Sequence, residues 1–235
     1  MSRIKVGIGG WSFEPWRGTF YPKGLRQKDE LIHATRHVTA IEINATYYRS
    51  QSPKSFASWA AAAPDGFVYA LKASRYCTNR TRLGEAGESI DRFFAQGLTE
   101  LGDRLGPILW QFAPTKRFDA EDFAAFLALL PREVGGLPLR HALEVRHESF
   151  RDPAFIELAR EAGAAVVFAD HEVYPRIADQ TADFTYARLM RAQETEELGY
   201  PPEQLDRWAE QARGWADGGR DVFIFMINGA KVRAP

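Results

Sequence analysis

Several short apolar runs in this chain stop at residues able to do chemistry: Glu42 with Asn44, Lys72, Gln111, Glu144 with Arg146, Asp170, Arg188 and Asn228. Carboxylates beside ammonium and guanidinium groups suit proton transfer on an anionic molecule. In that division of labour Glu42 or Glu144 is the general acid or base, and Lys72, Arg146 and Arg188 hold the anion and any developing charge. Asn44, Gln111 and Asn228 would orient the substrate by hydrogen bonds, while Asp170 and His147 stand close by, the latter able to titrate near neutrality. A bland alternative exists, in which Glu42, Lys72, Glu144 and Arg146 form a structural layer of ion pairs. Repeating buried charges at strand after strand is a costly way to fill a barrel, so the group as a whole favours a site.

Such a pattern needs strands whose ends meet. Eight candidates can be marked, at Ile4–Gly9, Thr39–Ile43, Phe67–Leu71, Ile108–Phe112, Ala142–Val145, Ala165–Phe168, Thr185–Leu189 and Val222–Ile227. Most are near-continuous apolar runs, as strands buried on both faces should be. Helical patterns fall between most of them, near Asp29–Arg36, Pro53–Ala62, Ser89–Leu105, Ala120–Leu130, Pro153–Ala162 and Pro202–Ala216. The alternation predicts α/β architecture, a TIM-like (β/α) barrel of eight parallel strands forming one domain over residues 1–235. The stretch 171–183 is too short and too interrupted by proline for a long sixth helix. Only seven residues follow Asn228, so the final helix is expected to be missing, and an uncovered flank would suit a homodimer.

Alternation also assigns faces. Residues i and i+2 share a side of a strand, so Glu42 goes with Asn44 and Glu144 with Arg146, while Ile41, Ile43, Leu143 and Val145 face the helices. Asp152, Pro153 and Gly163 bracket one helix as cap, first turn and terminator, and Asp119 caps the Phe123-Phe126-Leu127-Leu130 face of another.

Loops supply further candidates. Trp11, in Gly9-Gly10-Trp11-Ser12-Phe13-Glu14-Pro15-Trp16, and Tyr47 offer flat surfaces at the rim, whereas Phe13 and Trp16 are read as core cover. The segment 75–82 carries Arg75, Arg80 and Arg82, whose forked donors suit phosphate. That loop motivates a second reading, a phosphodiester-processing enzyme. A third is a non-catalytic ligand-binding protein.

Composition narrows the classes. The 235 residues are 45% hydrophobic and 26% charged with a net charge of −1, so no global field recruits nucleic acid, which is not the favoured partner, or anionic membrane. A small anionic molecule is the favoured one. Cys77 is the single cysteine, no apolar stretch approaches the roughly 18 residues of a bilayer span, and no signal-peptide region opens the chain, so the expected location is cytoplasmic. Gly7-Ile8-Gly9-Gly10 fails as a dinucleotide fingerprint because Ser12 replaces the third glycine and Pro15 interrupts the helix. There is no P-loop or GxSxG elbow, so neither a nicotinamide nor a P-loop nucleotide is expected. A divalent ion on Glu42, Glu144, Asp170 and His147 is conceivable but opposed by three nearby cations, and no metal ligand is assigned. His33 and His37, four apart on an outer helix, are given a surface role.

Ordered blocks carry a resemblance. Gly9-Gly10-Trp11-Ser12 with Trp16 and Phe20-Tyr21-Pro22, Ile41 through Arg49, Leu71-Lys72-Ala73-Ser74-Arg75, Leu105-Gly106-Pro107 with Gln111, Glu144-Val145-Arg146-His147, Ala187-Arg188-Leu189 and Phe225-Met226-Ile227-Asn228 resemble the domain of unknown function 72 family, the YecE-like proteins. The resemblance implies a TIM barrel without an assigned reaction, similar in shape to xylose isomerase and endonuclease IV barrels, which makes sugar-phosphate or nucleic-acid chemistry an analogy of fold. Three departures stand out. Thr78-Asn79 replaces an expected threonine-histidine pair, Arg188-Leu189-Met190-Arg191 an Arg-Leu-His-Gly run, and Gly229-Ala230 an asparagine-aspartate pair. The lost histidines weaken any metal-based or histidine-based mechanism.

Overall fold

A computed structural model describes residues 4–227 and 229–235, so the assignment of Asn228 lies outside the described residues. Nine strand segments, β1 Ile4–Gly9, β2 Ala40–Ile43, β3 Val68–Lys72, β4 Leu105–Gln111, β5 His141–Glu144, β6 Ala165–Val166, β7 Phe168–Asp170, β8 Phe184–Leu189 and β9 Asp221–Met226, pair in parallel. Their order is β6-β5-β4-β3-β2-β1-β9-β8-β7. Because β6 and β7 are separated only by Val167, whose N–H donates to the Leu143 carbonyl at 3.0 Å, the ring nearly closes and eight strand positions are filled. The extra segment relative to the eight expected is this break in the sixth strand.

Helices occupy the connections, with α1 at Glu30–His37, α2 at Ala45–Tyr48, α3 at Pro53–Ala62, α4 at Arg75–Thr78, α5 at Gly87–Phe94, α6 at Ala120–Ala128, α7 at Pro153–Glu161 and α8 at Pro202–Ala216. The caps read from the sequence form: Asp119 accepts from the Asp122 N–H, Asp152 accepts from the Ala154 N–H, and Gly163 turns left-handed at φ 63°. The long helix expected over Ser89–Leu105 does not form. It stops at Phe94, and a 3-10 segment over Leu98–Arg104 follows, because Gly97 and Gly102 take positive φ values that end regular α geometry. No α-helix lies between β7 and β8. After β9 the described residues contain only a 3-10 turn at Lys231–Arg233, and Val6 on the β1 flank is left 42% exposed.

Two layers of core follow from strand alternation. Ile41, Ile43, Leu71, Trp110, Leu143 and Val145 point outward and pack under the helices. On α6, the buried Phe123, Phe126 and Leu127 form the expected stripe against Phe112 and Phe150, each contributing about 2 kcal/mol of burial. Inside the barrel, Ala40, Ala70, Ala142, Ala165 and Ala169 on one side leave room for Phe184, Tyr186, Phe223 and Phe225 on the other. Small side chains opposite large ones fill the interior below the carboxyl rim. β1 contributes only Gly7 and Gly9 beside Ala40 and Glu42, and a Cβ on Gly7 would come within 1.9 Å of the Ala40 carbonyl oxygen.

Candidate functional site

The alternation that sends Ala40, Ala142 and Tyr186 inward sends Glu42, Glu144 and Arg188 inward one step further along β2, β5 and β8. The three meet at the top of the packed interior. Arg188 donates from Nε to Glu42 Oε2 and from Nη2 to Glu42 Oε1, both at 3.0 Å, and from Nη1 to Glu144 Oε2. Glu42 Oε2 also accepts from the Tyr186 hydroxyl at 2.8 Å, while Glu144 Oε1 accepts from Arg146 Nε at 2.6 Å and Gln111 Nε2 at 3.0 Å. Both glutamates have no exposed surface. Burial alone would raise the Glu144 carboxyl, but Arg188, Arg146 and Lys72 outweigh it and hold it down at about 2. Burial likewise opposes the Arg188 charge, and Glu144 and Glu42 more than restore it, so the guanidinium stays protonated. The Tyr186 hydroxyl, buried beside Glu42, is pushed well above its ordinary value and remains a donor.

Lys72 enters from the end of β3 and is treated differently by its surroundings. It is only 7% exposed, yet no carboxylate among the described residues lies within ion-pair distance of its ammonium, because the glutamate oxygens are taken by other donors. Its contact is the face of Tyr47, 4.1 Å from Nζ. Burial, reinforced by Arg188 and Arg146 and opposed by Glu42 and Glu144, lowers Lys72 to about 8.

Above this floor opens a cavity of about 510 Å³. Its wall includes Gly10, Trp11 and Ser12 after β1, Asn44 and Tyr48 after β2, then Lys72, Gln111, Arg146, Arg188 and Lys231. Four cationic side chains therefore face the space while both carboxylates lie beneath it. A larger cleft of about 910 Å³ lies at the opposite end, beside the first residues of β4 and β5. Two of its arginines are paired, Arg140 with Asp221 at 2.8 Å and Arg160 with Glu157 at 2.6 Å, and none of the strand-end residues singled out above lines it, so the carboxyl-rim cavity is the better candidate despite its smaller size.

The sequence candidates separate into those the fold brings together and those it does not. Glu42, Glu144, Arg146, Gln111 and Arg188 form one hydrogen-bonded cluster, Lys72, Asn44 and Trp11 line the cavity, and Tyr47 backs Lys72. Asp170 is elsewhere. Ala169 is the residue beside Arg188, so Asp170 falls on the outward face, where it pairs with Arg176 at 2.6 Å. His147 caps the 3-10 turn Glu148–Arg151, its Nδ1 accepting from the Ser149 N–H at 3.1 Å. Arg75 is exposed and lies over Tyr76, Arg80 donates to the Glu85 carbonyl, and Arg82 pairs with Glu85 at 3.5 Å, so the arginine-rich loop largely binds itself. His33 and His37 stack at 4.0 Å on α1, away from the cavity, and the buried Cys77 thiol is pushed up to about 12.

Three participants were not singled out from the sequence. Tyr186 was legible, since it stands two residues before Arg188 and must share its face. Lys231 was not: the Trp16 indole donates to its backbone carbonyl at 2.9 Å, and its ammonium sits over the Phe13 and Trp16 rings. Burial lowers its proton affinity. Tyr174, from the loop after β7, lies 4.6 Å from the Arg146 guanidinium and stacks on His171 at 3.7 Å.

The model of the DUF72 family, "Protein of unknown function DUF72", matches residues 5–235. The chain belongs to the DUF72 family. A DUF72 protein of Thermotoga maritima has a solved structure that superposes with a TM-score of 0.78 at 23% identity, covering 99% of this chain and 94% of that one. Another, from Enterococcus faecalis, gives a TM-score of 0.75 at 18% identity over 100% of this chain and 94% of that one. At those identities the likeness establishes the barrel alone. The UPF0759 protein YunF of Bacillus subtilis is 27% identical over 161 residues, which are 66% of this chain and 54% of YunF. The match thus spans about half the length of that curated relative. Among the described residues of this DUF72 chain, no helix is long and apolar enough to cross a membrane.

Proposed function

We propose that this DUF72 chain is an enzyme that binds a small anionic substrate, such as a phosphorylated or carboxylated metabolite, in the carboxyl-rim cavity and works on it by acid-base chemistry. The observation behind this reading is the cavity wall, which Lys72, Arg146, Arg188 and Lys231 line while the balancing carboxylates are covered. A preorganised set of cations in a partly dry concavity favours an anion more than the same charges do in water. Arg146 and Lys231 would bind it, and Asn44 and Gln111 would orient it. The strand-end pattern pointed to Glu42 or Glu144 for proton transfer. In this reading those glutamates hold Arg188 and Arg146 in place, and Lys72, lowered to about 8 by its surroundings, moves the proton.

Calorimetric titration with inorganic phosphate at low salt tests the binding half. Saturable binding, weakened tenfold or more by Arg146→Ala and by Lys231→Ala, is the expected result. Binding that is absent, or unchanged in both variants, removes the reading.

A further inference from the structure

Lys72 combines three properties. Its amine is reachable through the cavity but otherwise covered, it has no carboxylate partner among the described residues, and it lies within a ring of other cations. A structural lysine at a strand end would be expected to take one of the two glutamates. Here Arg188 takes both, with its fork on Glu42 and its remaining nitrogen on Glu144. The cluster thereby secures its arginines and leaves the amine uncommitted. Among the described residues no carboxylate is placed in the cavity wall to activate a water, whereas the Lys72 amine and several oxyanion-stabilising donors are.

We propose that Lys72 is an imine-forming lysine, and that the substrate of this cavity carries a ketone or aldehyde next to its anionic group, as 2-oxo acids and phosphorylated keto or aldo sugars do. This rests on the reading of the cavity as an anion site. The Lys72 amine attacks the carbonyl carbon, forming a C–N bond while the carbonyl electrons move to oxygen, where Arg146 and Arg188 offset the charge. A proton passes from the new ammonium to that oxygen, directly or through water. The nitrogen lone pair then expels the hydroxyl, which leaves as water after taking a proton from the Lys231 ammonium. The product is a protonated imine, with every atom of amine, carbonyl and added proton accounted for. Burial among like charges lowers Lys72 to about 8, so it offers more unprotonated amine at neutral pH than an exposed lysine does.

Borohydride trapping reads the imine directly. The protein is incubated at pH 8 with pyruvate in one arm and dihydroxyacetone phosphate in another, reduced, digested and examined by mass spectrometry. The Lys72 peptide is expected to gain the mass of the probe less one oxygen, in preference to the exposed Lys23, Lys28 and Lys54. Labelling should rise through pH 8 and fall when inorganic phosphate is added. Lys72→Arg, which keeps the charge and whose fold is checked by circular dichroism, should abolish it. The arm that labels distinguishes carboxylate from phosphate substrates. If phosphate binds by calorimetry but neither probe labels Lys72 above the surface lysines, the imine is overturned and the anion site stands. If phosphate does not bind either, both fall.

Discussion

Arg188 grips Glu42 through two parallel hydrogen bonds of 3.0 Å each, and its third nitrogen reaches Glu144. One side chain from β8 therefore ties β2 to β5 across the mouth of the barrel. Removing one member of a buried ion pair strands the others without compensation. Arg188→Met should cost about 3 to 5 kcal/mol of unfolding free energy in urea denaturation. Arg188→Lys should recover little, since a point charge cannot fork to two oxygens. A wild-type midpoint in both variants would show that the tie carries no stability.

Acid should loosen the same tie. The Glu144 carboxyl is held at about 2 in the folded chain against an ordinary value of 4.5, so the unfolded chain binds more protons between those pH values and stability falls as pH drops through them. The contribution is full above pH 4.5 and lost by about pH 2. It amounts to on the order of 3 kcal/mol. Thermal melts from pH 6 to pH 2 measure it, and Glu144→Gln should flatten the slope in that window.

Lys72 works in the opposite sense. Its folded value of about 8 lies below the ordinary 10.5, so its protonated form destabilises the fold at neutral pH, and the penalty fades as pH rises from 8 to 10.5. Lys72→Met should therefore stabilise the protein by about 1 to 3 kcal/mol at pH 7 while removing function. The gain should shrink above pH 8. A destabilising effect at pH 7 would mean that Lys72 serves the fold.

Tyr174 covers Arg146 from the loop after β7. Tyr174→Ala should leave the melting temperature near wild type and weaken phosphate binding about fivefold, the equivalent of roughly 1 kcal/mol, by letting the guanidinium swing free. Unchanged affinity would show that Glu144 alone positions Arg146.

Gly7 sets how closely β1 approaches β2. A Cβ there would lie 1.9 Å from the Ala40 oxygen, which is backbone and cannot rotate away. Gly7→Ala should cost more than about 4 kcal/mol or prevent folding, as judged by circular dichroism and urea titration. Near-native stability would show that the two strands can separate at little cost.

The barrel, its eight strand positions, most helix boundaries and the inward set Glu42, Lys72, Glu144 and Arg146 were legible in the sequence. These follow from local rules: apolar runs, caps and a two-residue alternation are properties of neighbouring residues. Alternation also held the placement of Asp170, since counting from Ala169 sends it outward. The long helix drawn across Gly97 and Gly102 failed because a helical pattern does not report a positive φ. Which cation each carboxylate takes was set by the folded arrangement. Arg188 and Glu42 are 146 residues apart, and no local pattern says that a guanidinium fork will occupy both glutamates and leave Lys72 without one. Lys231 enters the cavity because Trp16, 215 residues away, holds its backbone. Partner choice among buried charges is settled by geometry in three dimensions, and that choice turns a row of polar strand ends into a cationic cavity in which the Lys72 amine has no carboxylate partner among the described residues.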